Sequence, residues 1–126
     1  MTHNEADSCR RDDLVRGRSA VWFWYLPVTA LVASAPMGDA RGWIWCPALT
    51  LMGAACVANA VRCGRRHCYL TGPVFLIAAA LSVLQGTHLL SVGWNWIAGG
   101  TVLGWAIGYL LEWSNGSYVE GRRSRA

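Results

Sequence analysis

The stretch Arg62-Cys63-Gly64-Arg65-Arg66-His67-Cys68 separates two long apolar runs, residues 43–61 and 69–90, and its reading decides the fold. Neither run contains Asp, Glu, Lys or Arg. An α-helix rises about 1.5 Å per residue, so about 20 apolar residues cross the hydrocarbon layer of a bilayer. Both runs reach that length. The arginine-rich link between them therefore reads as a turn at a membrane surface, and its three arginines place it on the cytoplasmic side.

Working outward, two further runs have the same character. Residues 19–37 are free of charge except where the flanking arginines begin, and Pro27 is expected to kink that helix, which membrane helices tolerate. Residues 94–112 form the last run, closed by Glu112. The reading is an all-α membrane protein with four antiparallel transmembrane helices over about 19–37, 43–61, 69–90 and 94–112, together a domain spanning 19–113. In the third helix, Gly72-Pro73 is expected to lie in the first turn, where Pro is well tolerated. Residues 1–18 interleave acids with arginines and are read as a disordered cytoplasmic tail; residues 114–126 are read as a basic cytoplasmic tail.

Composition agrees. Only 14% of residues are charged, against about 25% in soluble domains. The chain has eight Trp and no Lys, so its net charge of +4 comes from arginine. Arg10, Arg11, Arg16, Arg18, Arg62, Arg65, Arg66, Arg122, Arg123 and Arg125 fall on one side of the four runs, and Arg41 alone falls on the other. That asymmetry puts both termini in the cytoplasm of a bacterial inner membrane, and it argues for a bilayer rather than nucleic acid as the partner. Trp43, Trp45, Trp94 and Trp96 then mark the outer interface, and Trp22, Trp24 and Trp113 the inner one. A competing expectation is a cleaved signal peptide over residues 1–35, suggested by Ala33-Ser34-Ala35; Pro36 would then follow the cleavage site, a residue signal peptidases generally reject.

Five cysteines show no disulfide spacing, and Cys9, Cys63 and Cys68 fall on the expected cytoplasmic side, so free thiols are expected. Thiolates and imidazole suit soft ions of the Hg(II) or Cu(I) class. Cys63, His67 and Cys68 form the candidate inner acceptor, with Cys56 two helical turns deeper and Cys46, beside Pro47, farther out along the same path. The flanking arginines favour thiolate but repel a free cation. The bland alternative is that the cysteines pack as small apolar residues and His67 sits at headgroup level. A thiol redox sensor using Cys63 and Cys68 is a weaker option.

Gly100, Gly104 and Gly108 stack at four-residue spacing on the fourth helix, which reads either as an oligomer or partner-subunit seam or as internal packing against the first or second helix. Asn59, Gln85 and His88 are the polar residues within the spans, expected to hydrogen-bond between helices, while Glu112 is expected to pair with an arginine of the inner turn. No Ser/His/Asp set, phosphate loop or H-E-x-x-H is present, so no enzyme is expected. The alternative function is a non-catalytic accessory subunit assembling through the glycine face.

The motif N-A-x-R-C-G-R-x-H-C-Y-x-T-G-P, Asn59 to Pro73, resembles one found in small uncharacterised bacterial inner-membrane proteins. More loosely, cysteines in and beside the spans of a small multi-helix protein are similar to the mercury-resistance membrane transporters. Those carry a vicinal cysteine pair in the first span, often near a proline; here Cys46-Pro47 is a partial echo, in the second span. The resemblance implies soft-metal transport.

Overall fold

The computed structural model describes residues 3–116, and among them every regular element is helical. Helix α1 is His3–Arg11, α2 is Leu26–Ala33, α3 is Gly42–Cys63, α4 is Arg66–Gly86 and α5 is Trp94–Asn115. Helix α3 together with its preceding turn (Ala35–Cys63) and helix α4 are long and apolar enough to cross a membrane; Val21–Ala33 is a shorter apolar helix. Helix α5 has 22 residues and is not among the helices that meet that standard of length and apolarity.

The expected first span is shorter and more irregular than its apolar run. One π-helical turn, Val21–Tyr25, precedes α2, with the Leu26 N–H donating to the Val21 carbonyl. Pro27 lacks an N–H, so the regular ladder has no donor there and the wider turn accommodates the gap. The chain then narrows to a 3₁₀ segment, Ala35–Arg41, before α3. Ser34 is buried at this corner, and its Oγ accepts a 3.1 Å hydrogen bond from Trp45 Nε1.

Gly64 ends α3 in the left-handed conformation, φ 64° and ψ 33°, and donates its N–H to the Ala60 carbonyl. A residue without Cβ adopts that conformation at little cost, so the arginine-rich stretch breaks here. Arg65 is extended and α4 begins at Arg66. The link is therefore only two residues long, and α4 starts three residues before the expected third span and ends four before it. Pro73 consequently lies in the body of α4 rather than in its first turn.

Helices α3 and α4 pack antiparallel through small residues. A Cβ on Gly53 would stand 2.9 Å from the Leu76 side chain, and one on Gly72 would stand 2.8 Å from Val57. At the other end Gly42 faces Ser82 and Gly86. The buried face of α3 runs Gly42, Trp45, Leu49, Met52, Cys56, Asn59, alternating steps of three and four as a helical seam requires. The first apolar helix packs on α3, and its Trp24 also reaches Phe75 of α4 with ring centroids 5.9 Å apart. Helix α5 lies against α4 and buries only Ile97 and Gly108. Its Trp96, Val102, Leu103, Leu110 and Trp113 are exposed.

Two expectations change. The segment read as a disordered tail is helical over His3–Arg11, and Asp13 is 5% exposed against α3 and α4. The glycine series on α5 is not one seam: a Cβ on Gly104 would meet Val74 at 2.7 Å and one on Gly108 would meet Thr71 at 2.8 Å, whereas one on Gly100 would meet nothing within 4 Å. Its internal partner is α4, not the first or second span. Of the basic tail expected over 114–126, Ser114 and Asn115 continue α5, and residues 117–126 lie outside the described residues.

Candidate functional site

The two-residue turn at Gly64-Arg65 draws a polar cluster together at one end of the helices. Arg65 ion-pairs with Asp13 and lies 3.6 Å from Glu112 at the far end of α5. Burial opposes the Arg65 charge, but the two carboxylates outweigh that penalty and hold the guanidinium above its ordinary pKa. Its buried Nε has no hydrogen-bond partner among the described residues, so the terminal nitrogens make both ion pairs. Asp13 also accepts hydrogen bonds from Asn59 Nδ2 at 2.7 Å and from the Val15 N–H at 2.9 Å, and Asn59 Oδ1 accepts one from the Leu14 N–H at 3.2 Å.

Because α4 begins at Arg66, His67 and Cys68 lie in its first turn rather than in a loop, and both are buried. The His67 ring bonds through Nδ1 to Glu112 and stacks on Tyr109 with centroids 4.7 Å apart. Its Nε2 lies 3.3 Å from Cys68 Sγ. Cys68, 0% exposed, and the Cys56 thiol of α3, 1% exposed, are neighbours in the same buried cluster. A continuous line thus runs from Cys56 through Cys68, His67, Glu112 and Arg65 to Asp13 and Asn59.

The expected ligand set is divided by this arrangement. Cys63 is bonded to Cys9, with Cα atoms 5.7 Å apart, so it does not join His67 and Cys68 as a free thiol. The expectation that all five cysteines are free is corrected: Cys46, Cys56 and Cys68 are. Cys46 is ten positions from Cys56 on α3, about 15 Å along the axis, and no other cysteine lies between them. The line of cysteines has the gap already evident in the sequence. Met52, one turn from Cys56 on the same buried face, is the intervening sulfur that the sequence reading left out.

The polar residues expected within the spans separate in the same way. Asn59 joins the cluster, but to the segment at Asp13 and Leu14 rather than to another long helix. Gln85 Oε1 accepts a 2.9 Å hydrogen bond from the Gly93 N–H and so closes the α4–α5 link at the opposite end. His88 lies beyond α4, largely exposed at φ 60°, with Nε2 3.7 Å from Asp39; it is not a residue of a span. Glu112 does pair with an arginine of the turn, and His67 is the further partner.

Chemically, the cluster offers two facing thiols and an imidazole. Among the described residues no group of three or more His, Cys, Asp or Glu gathers in a way that holds an ion. That leaves two-coordinate binding by the sulfur pair, a geometry that soft ions accept. The order thiol, imidazole, carboxylate is also that of an activated nucleophile, but Cys68 is sealed against Cys56 and α5, so a substrate has no approach in this conformation. No protein-family profile, curated protein or solved structure matches the chain.

Proposed function

We propose that this is a multi-pass protein of the bacterial inner membrane that binds or passes a soft cation of the Hg(II) or Cu(I) class at Cys56 and Cys68. The observation that carries the reading is the neighbouring pair: two buried free thiols on adjacent helices within one core cluster, with His67 Nε2 3.3 Å from the Cys68 sulfur. Thiolates are the ligands such ions prefer, and they release protons on binding. His67, held by Glu112, is placed to take up the Cys68 proton. Cys63 and Cys46 stand outside this pair, which departs from the motif of the mercury-resistance transporters.

Four spans with both termini inside remain the arrangement we propose. It is supported by the exposed aliphatic and aromatic side chains along the helices, for which lipid is the fitting solvent, and by the gathering of residue 13, the α3–α4 turn and Glu112 at one end. Asp39, Arg41 and Trp94 meet at the other, where the Arg41 guanidinium lies 4.7 Å from the Trp94 ring centre. The test is metal stoichiometry on detergent-purified, reduced protein in a C9S/C63S background, called wild type for this comparison, so that Cys9 and Cys63 offer no second dithiol. Wild type is expected to bind one Hg(II) in the presence of a competing monothiol, C56S/C68S none, and C46S one. Equal binding by wild type and C56S/C68S would remove the reading.

A second reading is supported by one observation. A Cβ added at Gly99 or Gly100 would meet nothing within 4 Å, so an accessory subunit docking its own helix there is the alternative. Replacing Gly100 with Ile would then abolish co-purification of a partner and leave metal binding intact.

A further inference from the structure

The Cys9–Cys63 bond joins residues 54 apart at the end of the molecule that carries Arg62, Arg65 and Arg66. Under the orientation proposed above, that end faces the cytosol. Thiols there are kept reduced, and the disulfides that do form are transient, catalytic or redox-sensing. Both cysteines are only half-buried, so an attacking thiolate has access to the bond.

What the bond fastens is specific. Cys9 closes the last part of α1, and the chain following it places Asp13 and Leu14 on Asn59 and Arg65. Arg65 leads through Glu112 and His67 to Cys68. Asp13 and Leu14 therefore sit on Asn59, one turn beyond Cys56 on α3, at the end of the thiol pair nearest the α3–α4 turn. Two kinds of attachment hold it, one covalent at Cys9 and one polar at Asp13.

We propose that Cys9–Cys63 is a redox latch that keeps this segment closed over the Cys56–Cys68 pair. The inference rests on the orientation and the thiol-pair site proposed above, and it adds Cys9, 54 residues away, as the partner of Cys63. The opening reagent is a soluble dithiol. One of its thiolates attacks a sulfur of the Cys9–Cys63 bond and forms a mixed disulfide, and its second thiol displaces the remaining cysteine. Two electrons pass to the protein, Cys9 and Cys63 each end as a protonated thiol, and the reductant ends as its own disulfide. The segment then loses its covalent attachment and keeps non-covalent contacts such as those of Asp13 and Leu14, and it exchanges between docked and released positions.

The test follows alkylation of Cys68 by N-ethylmaleimide in the full-length protein in lipid vesicles, read peptide by peptide by mass spectrometry. Protein oxidised with diamide is expected to yield a joined Cys9–Cys63 peptide and to label slowly at Cys68. After treatment with dithiothreitol and removal of the reductant, labelling is expected to rise at least ten-fold. C9S is expected to label at the fast rate under both conditions. Equal Cys68 rates in oxidised and reduced wild type, or failure of Cys9 and Cys63 to join under diamide, would overturn the latch. Because maleimide reads access without metal, a changed rate with no Hg(II) bound at Cys56 and Cys68 would overturn the cation site alone. Intact Hg(II) stoichiometry with unchanged rates would overturn the latch alone.

Discussion

Arg65→Met is the perturbation whose cost the structure specifies best. The Arg65 side chain is 14% exposed, and it faces the Asp13 carboxylate at 6% and the Glu112 carboxylate at 13%. Methionine matches much of its length and fills the space between α3, α4 and the segment at Asp13. What is lost is the charge that both carboxylates share. Removing one member of a buried ion pair costs about 3–5 kcal/mol, because the partner is left charged in apolar surroundings. Here each carboxylate keeps another partner, Asn59 for Asp13 and His67 for Glu112, so the lower end applies. About 3 kcal/mol corresponds to a loss of roughly 150-fold in the folding equilibrium. Asp13→Asn alone removes one carboxylate and keeps the Asn59 contact within reach, so it costs less. The double variant is expected to be more stable than the sum of the singles by about 1–2 kcal/mol, since contacting groups in one network couple. Equilibrium unfolding in mixed micelles of all four proteins measures the cycle. A loss below about 0.5 kcal/mol for Arg65→Met, or strictly additive single effects, would refute the burial argument, since that is the scale of an exposed pair.

The other expectations concern packing and orientation. Gly104→Leu forces a branched side chain into Val74, where even a Cβ would stand at 2.7 Å, and is expected to destabilise the fold by about 1–3 kcal/mol. Gly100→Ala meets open space and is expected to stabilise α5 by up to about 1 kcal/mol through helix propensity; thermal unfolding that ranked the two variants the other way would contradict the α4–α5 register. In spheroplasts, a cysteine placed at Ser91 of a cysteine-free variant is expected to react with an impermeant maleimide and one placed at Ser114 to remain unlabelled until lysis. The reverse labelling pattern would invert the proposed orientation.

The long helices were legible because their evidence is local. Residues 43–61 emerge as Gly42–Cys63, and the break near residue 64 follows from a glycine set among arginines. Their contacts were not legible. Helices α3 and α4 are apolar on nearly every side, so hydropathy gives no phase, and Cys56 meets Cys68 only through the register set where Gly53 and Gly72 approach. The glycine spacing on α5 gives a face but not a partner, which is why Gly104 and Gly108 divide from Gly100. Asp13 was read as solvated because its neighbours are charged; its burial depends on Arg65 and Asn59, about fifty positions away. The Cys9–Cys63 pairing is equally non-local. Glu112 was the long-range polar contact for which the sequence also named the kind of partner, since a lone acid at the end of an apolar run calls for an arginine.

The account turns on whether Cys56 and Cys68 face each other across the α3–α4 turn. Brief treatment of a C9S/C46S/C63S variant in membranes with iodine, which enters apolar regions and joins adjacent thiols, tests this directly, because trypsin cuts at Arg62, Arg65 and Arg66 between the two cysteines. Tryptic peptides carrying Cys56 and Cys68 are expected to stay joined until a reductant is added. Recovery of those peptides as separate chains, with both thiols intact under conditions that join a control pair, would contradict the placement on which the proposed site depends.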